Sequence, residues 1–567
     1  LVGESGKELD RMLASAGVCR DEILFTNVIA AQPRGNETWR FFEPKATYQE
    51  RRVEGLAPTS HTRSECNRLY RQILSHPRKL VITAGNYALW ALTGCTGSKV
   101  LSKSNNHSIP KEEQTWAPTG IMDWRGSMWY AEPHPEFFPE GMTLKDWKEV
   151  QVLPIIHPAA ILSTWYLRDV TIHDLKTRVP MALRRDWRPR PEPTFWAPPS
   201  YQQVVEKLEE WLGRGNDSEN FWLSSDIETA RGVITCLGFA DGTDFAMSIP
   251  FVRRTEGGFD SWWTVSQEAK IVRLIRRIFS HSNIHIFGQN FIYDTQYIQH
   301  YMAVTPKTDH DTMLAQNVMF PGTPKDLGYL SSLYCQYHWY WKEDHKEWNM
   351  SGTIEDLLRY NCLDLIRTFE TGESQRVLLK HLDMEAQMDF KMKTHELCLR
   401  MMNRGVLFDK HRRAQLTFEM GEALGSLEKE ILTIIPQDWI GPPGKRAKDK
   451  TSVFWFQSDK QTKAVLSDFL GFKVINNRKT GEPTTGKEAM MQYKLLYPEW
   501  SGLLNRLRLA GQLDNTLHVL RTELDPDDRV RCSYNPGGTE THRLSSSTNV
   551  FGKGTNLQNL TKGEEDD

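Results

Sequence analysis

The run Phe221-Trp222-Leu223-Ser224-Ser225-Asp226-Ile227-Glu228 constrains this chain more than any other stretch. Its hydrophobicity reads as a buried strand. Strand side chains alternate with period 2, so Asp226 and Glu228 point to the same face. Two adjacent carboxylates repel each other unless a cation sits between them, which is the geometry of an oxygen-ligand divalent site. The triplet alone is weak: with 72 acidic residues in 567, about two Asp-x-Glu triplets arise by chance. Its meaning depends on the residues that accompany it.

Those residues lie in a segment drawn here as 201–375. An amphipathic helix, Tyr201 to Leu212, leads into the Asp226 strand. The runs 234–239 and 245–250 follow as neighbouring strands around the turn-like Asp241-Gly242-Thr243. A helix over 267–280 precedes the apolar run 284–287, which delivers Gly288-Gln289-Asn290 and then Asp294 at a helix start. A last helix, 354–369, carries Tyr360 and Asp364, four apart and therefore on one face. Asp226, Glu228, Asp294 and Asp364 are four carboxylates, suited to two divalent cations clamping an in-line phosphoryl displacement. Hard oxygen ligands favour magnesium or manganese. The Tyr360 phenol is placed to orient an attacking water. Asp311 reads as a helix cap.

This length predicts several domains. With 39% hydrophobic and 25% charged residues the chain is not largely disordered. No stretch approaches the roughly 18 apolar residues of a membrane span, and no signal peptide is visible, so no membrane partner is expected. Eight scattered cysteines without a Cys-x-x-Cys pair read as reduced thiols, which predicts a cytoplasmic protein. The net charge of −2 gives no global nucleic-acid signal. It does not exclude DNA, because such a site concentrates acid and needs only local basic patches.

Residues 1–185 read as a first domain. Strand-like runs 23–29, 79–84 and 152–156 alternate with helices, predicting a parallel-sheet α/β layer fold. Asn27, Gly85-Asn86 and His157 fall near the ends of these runs, where function gathers in such sheets. A linker is drawn at 186–200. The five prolines between Arg184 and Ser200 forbid a helix or a central strand there, so a semi-rigid extended connector is expected.

From 376 the chain turns mostly helical, over 384–402, 410–435, 461–470 and 498–524, with Gly405 as a helix stop. Between 441 and 520, basic residues outnumber acidic ones thirteen to seven. Lys479 and Lys487 flank a Gly- and Thr-rich tip, and a helical hairpin with a basic tip suits gripping phosphates without reading sequence.

Three resemblances follow from these motifs. Gly3-Glu4-Ser5-Gly6-Lys7, Thr26-Asn27-Val28, Ala84-Gly85-Asn86-Tyr87 and His157-Pro158-Ala159 resemble the uracil-DNA glycosylase superfamily, closest to its iron–sulfur branch. That implies Asn27 reading a uracil edge and His157 stabilising the departing anion. The family's Gly-Glu-x-Pro-Gly water-positioning loop is not in the chain, Leu1 stands where the stacking aromatic belongs, and Ala31 takes a cysteine's place. A glycosylase-type fold is therefore expected without uracil excision and without an iron–sulfur cluster.

Asp226-Ile-Glu-Thr, Gly288-x-Asn290-x-x-x-Asp294 and Tyr360-Asn-Cys-Leu-Asp364 are similar to the four-carboxylate 3′→5′ exonucleases. This implies an RNase H-like sheet and attack on a single-stranded DNA 3′ end. Thr541-His542-Arg543-Leu544-Ser545-Ser546-Ser547 and Asn556-Leu557-Gln558-Asn559 resemble family A DNA polymerases, with His542 where glycine is usual. They imply a thumb over 376–524 and the start of a palm over 525–567. Arg543, Gln558 and Asn559 would touch the minor groove of a primer–template, whose acceptors are common to all base pairs.

The chain opens on Leu1 and closes on Lys562-Gly563-Glu564-Glu565-Asp566-Asp567, so an internal piece of a longer polypeptide is expected. The polymerase aspartates should follow Asn559, so this piece is not expected to polymerise. The fold class expected is multidomain α/β: a glycosylase-like α/β/α sheet, an RNase H-like domain and a helical thumb. The function expected is proofreading within a replicative, bacteriophage-type polymerase, in bacterial host cytoplasm. The alternatives are uracil repair, or a non-catalytic DNA-binding, base-sensing front domain.

Overall fold

The computed structural model describes residues 3–31, 37–44, 56–94, 97–101, 103–104, 107–109, 113–184, 193–255, 258–342, 353–435, 439, 441, 458–477 and 481–559. It forms two compact units, Leu1–Met392 and Lys393–Asp567.

The front of the first unit is built on a small sheet. Val81–Ala84 pairs in parallel with Gln151–Ile155, which pairs antiparallel with Trp129–Tyr130. Strand alternation gives this sheet two apolar faces. Val152 joins Cys66, Leu69, Tyr70, Trp90 and Trp147 on one side. Leu153 and Ile155 join Leu9, Met12, Leu13 and Val179 on the other. Helices Glu4–Ser15 and Leu167–Ala182 contribute to the second face, and Ser60–Ser75 and Asn86–Thr93 to the first, so helices cover both sides.

Two expectations are corrected here. The sheet is mixed, and the run 23–29 forms no strand. Two of its carbonyls, and the N–H just beyond it, are met by side chains of helix Ser60–Ser75. Arg68 donates to the Asn27 and Val28 carbonyls at 2.7 and 3.3 Å, and Glu65 accepts from the Ala30 N–H at 2.8 Å. The run is otherwise half-buried to exposed, so water can meet its remaining polar groups and no ladder is needed. Ile23 and Phe25 still pack against the second core, so the hydrophobicity marked burial and not pairing.

Behind this lies a six-stranded sheet in the order 310–311, 284–288, 221–230, 233–240, 245–250, 194–196. The three central neighbours, Phe221–Ala230, Val233–Ala240 and Phe245–Pro250, are antiparallel. Arg231 and Gly232 turn the first hairpin with φ of 50° and 83°, the left-handed pair that two-residue hairpins require. Ile284–Gly288 adds in parallel beside Phe221–Ala230, and His310–Asp311 in parallel beyond it. The 186–200 connector is also corrected: Thr194–Trp196 joins the sheet as an edge strand parallel to Phe245–Pro250. An edge tolerates the neighbouring prolines because one side needs no donors. Helix Tyr201–Asp217 buries Val204, Leu208, Trp211 and Leu212, about 1.5–3 kcal/mol for each fully buried large aliphatic. The long helix Ile354–His381, capped by Thr353, lies against the sheet and brings Tyr360 and Asp364 to it.

In the second unit, helices Lys410–Ile434, Lys487–Leu496 and Ser501–Leu520 gather around Ile431, Val465, Leu466, Met490, Tyr493, Leu504 and Leu507. Gly405 ends the helix before it at φ 63°, and a Cβ there would lie 2.8 Å from the Val530 carbonyl oxygen. The short strand Val406–Leu407 pairs with Arg529–Val530, and Cys532–Asn535 with Ser545–Thr548.

Candidate active site

The hairpin register sets Gly238 opposite Asp226 and Cys236 opposite Glu228. Both carboxylates therefore sit on the sheet face that meets helix Ile354–His381. A side chain at 238 would collide with Asn361 and Leu365, so glycine there lets the helix close on the strand. Ser224 Oγ donates to the Leu365 carbonyl at 2.8 Å on the same face. Ser248 Oγ donates to Asn361 Oδ1 at 2.7 Å, and Asn361 Nδ2 donates to Asp226 Oδ2 at 2.8 Å. This relay fixes the first carboxylate from behind.

Oxygens of Asp226, Glu228 and Asp364 all lie within 4.8 Å of one another. Asp294, the fourth carboxylate, is buried beside them and outside that group of three. Its Oδ1 accepts from the Ile227 N–H at 2.9 Å. Asp294 is aimed by the turn before its helix, where Asn290 has φ 52° and a side chain at Gly288 would overlap the Phe291 ring. Asp311 caps the next helix through the Met313 and Leu314 N–H groups and also accepts from Phe291 N at 2.8 Å, so it supports the same turn. Tyr360 is buried one helical turn before Asp364.

Burial pushes the Asp226, Glu228 and Asp294 carboxyls upward, and the neighbouring carboxylates push the same way. For Glu228 those neighbours are Asp226 and Asp364; for Asp294 the principal one is Asp226. Burial and then Asp364 likewise raise the Tyr360 phenol, which stays a neutral hydroxyl. Like charges held this close out of water call for a counter-cation. The donors are hard oxygens, so the residues fit a divalent cation of the magnesium or manganese kind.

Two residues here had no sequence signal. Trp341 Nε1 donates to Asp364 Oδ1 at 2.5 Å. Lys342 Nζ lies 3.2 Å from both Asp364 Oδ2 and the Tyr360 hydroxyl. Burial works to lower the Lys342 pKa, but Asp364, Asp226 and Glu228 outweigh it and raise it. Both residues come from a segment far from the carboxylates in sequence, so no spacing rule reaches them. Asn361 was within sight, inside the Tyr360–Asp364 motif, but it sits on the next face of the helix turn.

The other predicted residues lie apart from this cluster. His157 Nδ1 accepts from the Ala159 N–H at 3.1 Å, which leaves Nε2 as the donor. The residue reaches the surface, yet crowding by surrounding protein lowers its pKa below the usual histidine value. Its inner edge packs on Gly85, where a Cβ would come within 2.9 Å of His157 Cβ. Asn27 is exposed, with its carbonyl held by Arg68. In the second unit Arg543 and Lys487 are exposed, and Gln558 Nε2 donates to the Leu544 carbonyl at 3.0 Å. Asn559 closes the short turn Leu557–Asn559. Lys479 lies outside the described residues.

Residues 1–176 match the uracil DNA glycosylase superfamily. Residues 209–378, which hold all four carboxylates and Tyr360, match a 3′-5′ exonuclease family of DNA polymerase A. The chain thus joins a segment similar to the uracil DNA glycosylase superfamily to one similar to a 3′-5′ exonuclease family. A DNA polymerase I of Pseudomonas aeruginosa is 26% identical over 175 residues, which cover 30% of this chain and 17% of that protein. Among solved structures, the POL domain of Pol1 from M. smegmatis, in complex with a DNA primer-template and dNTP, aligns with a TM-score of 0.43 and 16% identity. That alignment covers 63% of this chain and 55% of the other. The carboxylate cluster thus lies inside the exonuclease domain.

Proposed function

We propose that the exonuclease domain removes nucleotides from DNA 3′ ends by two-metal phosphodiester hydrolysis, as the proofreading activity of a replicative DNA polymerase. The observation that carries this reading is the group of three carboxylates within 4.8 Å, with the Tyr360 hydroxyl beside it. Magnesium or manganese bound there by Asp226, Glu228, Asp294 and Asp364 would supply charge neutralisation and water activation. The protein's own part is placement. Tyr360, neutral and buried, orients the attacking water through its hydroxyl. Asn361 and the Ile227 N–H hold Asp226 and Asp294 in position. Lys342 adds a positive charge where the phosphate's negative charge builds up.

The substrate on this reading is a primer–template with a frayed single-stranded 3′ end. Arg543, Gln558, Asn559, Lys479 and Lys487 are the proposed DNA contacts of the second unit, and a bacterial cytoplasm with phage DNA is the proposed setting. A 5′-labelled primer–template carrying a 3′ mismatch tests it. The purified chain should shorten the labelled strand one nucleotide at a time with magnesium and leave it intact in chelator. Shortening from the other end, or none, contradicts the reading.

One observation favours a second reading for the front domain. His157 is neutral, with its Nε2–H free to donate to a base anion. Release of free uracil from uracil-containing DNA, lost in His157→Ala, would make this a repair site. DNA binding without release would make it a base sensor.

A further inference from the structure

The segment that ends in Trp341 and Lys342 is held from two sides within the first unit. On the glycosylase side, Arg125 is fully buried and grips Asp174 with two bonds of 2.8 and 2.6 Å, while its third nitrogen donates to Ser332 Oγ at 2.7 Å. Arg178 donates to three carbonyls of the exonuclease domain: Ser332 and Cys335 at 3.0 Å and Gln336 at 2.6 Å. The Met128 N–H donates to the His338 carbonyl at 3.1 Å, and Tyr340 packs edge-on against Trp124 at 5.4 Å. On the exonuclease side, Arg367 donates to the Tyr337 carbonyl, three residues along the helix from Asp364. Within two residues of Tyr340 the chain reaches Asp364 through Trp341 and Lys342.

A buried arginine that spends its donors on another domain's carbonyls fixes a backbone path. It does so at a desolvation cost that simple adhesion between domains does not require. The residues it fixes, 332, 335 and 336, lie on the stretch that runs directly into Trp341 and Lys342, the two that touch Asp364. Partners that orient a metal ligand set its affinity for the ion.

We propose that the glycosylase domain is a positioning element of the exonuclease site: Arg125 and Arg178, acting through the backbone of residues 332–342, set Trp341 and Lys342 on Asp364 and Tyr360. This rests on the proposed nuclease reading of the carboxylate cluster. The front domain then serves the exonuclease whether or not it excises a base.

The test uses the full chain and Mn2+ alone, with affinity read by calorimetry and trimming read separately. Trp341→Phe keeps the ring and removes one donor, and it should weaken Mn2+ binding about 10-fold or more. Arg178→Met, in the other domain, should weaken it in the same sense, and Arg178→Lys should recover part of the loss. The double variant Trp341→Phe/Arg178→Met should bind no more weakly than the worse single variant, because both act through one path. Should Arg178→Met fail to fold, Arg125→Lys replaces it, keeping the charge on Asp174 while giving up Ser332. A front-domain variant that folds and binds Mn2+ as the wild type does overturns the proposal, as do fully multiplicative effects in the double variant. A wild-type chain that binds Mn2+ but trims no DNA would instead sink the nuclease reading alone.

Discussion

Asp226→Asn should stabilise the metal-free protein while abolishing its activity. Without a cation, burial and then Asp364 push the Asp226 carboxyl from 3.8 up to about 8. A folded-state pKa above the unfolded one means that the group's stability is complete below the unfolded value and is lost as pH climbs toward the folded one. For an isolated group the loss by pH 7 is about 4 kcal/mol, at about 1.4 kcal/mol for each pH unit. Asp226 is only half-buried by surface area and shares its charge with Glu228 and Asp364, so about half of that, ~2 kcal/mol, is the figure to expect. Asparagine keeps the size and an oxygen for Asn361 Nδ2, so packing is preserved. In chelator at pH 7, calorimetry should show the transition carrying the exonuclease domain about 2–6 °C above wild type. At pH 5 the gap should narrow, because pH 5 lies only about one unit above the unfolded value and the penalty falls by about 1.4 kcal/mol for each pH unit. Magnesium should raise the wild-type transition and leave the variant's nearly unmoved. A variant that melts at or below wild type in chelator at pH 7 would refute the reasoning that like charges strain this cluster.

Tyr360→Phe removes the hydroxyl beside Lys342 and Asp364 and leaves the buried ring; single-turnover trimming should fall about 100-fold, with Mn2+ affinity by calorimetry unchanged. Gly238→Ala drives a methyl into Asn361 and Leu365; thermal unfolding should show a loss of about 1–3 kcal/mol, and trimming should fall with it. Arg125→Met leaves Asp174 buried and uncompensated; denaturant unfolding should register a loss of about 3–5 kcal/mol.

The common face of Asp226 and Glu228 was legible because strand period is a local property, and the same holds for Tyr360 and Asp364 at four residues apart on a helix. What the period does not carry is which groups satisfy a backbone. The run 23–29 has strand-like hydrophobicity, but Arg68 takes the Asn27 and Val28 carbonyls and the rest stays open to water, and nothing in the run itself announces that. Proline at 193 and 198 correctly forbade a central strand around Thr194–Trp196, but an edge pairing needs only one satisfied side. Trp341 and Lys342 were invisible for a different reason. Their partners lie 18 to 23 residues away on another element, and only the folded path through the front domain's arginines brings them together.

The central claim is that the carboxylates on one strand perform 3′ hydrolysis. Asp226→Ala/Glu228→Ala, compared with wild type on a 5′-labelled primer–template in magnesium, tests it most directly. The account predicts a one-nucleotide ladder from wild type and an intact primer from the double variant, with DNA binding retained. Equal trimming by both would contradict it.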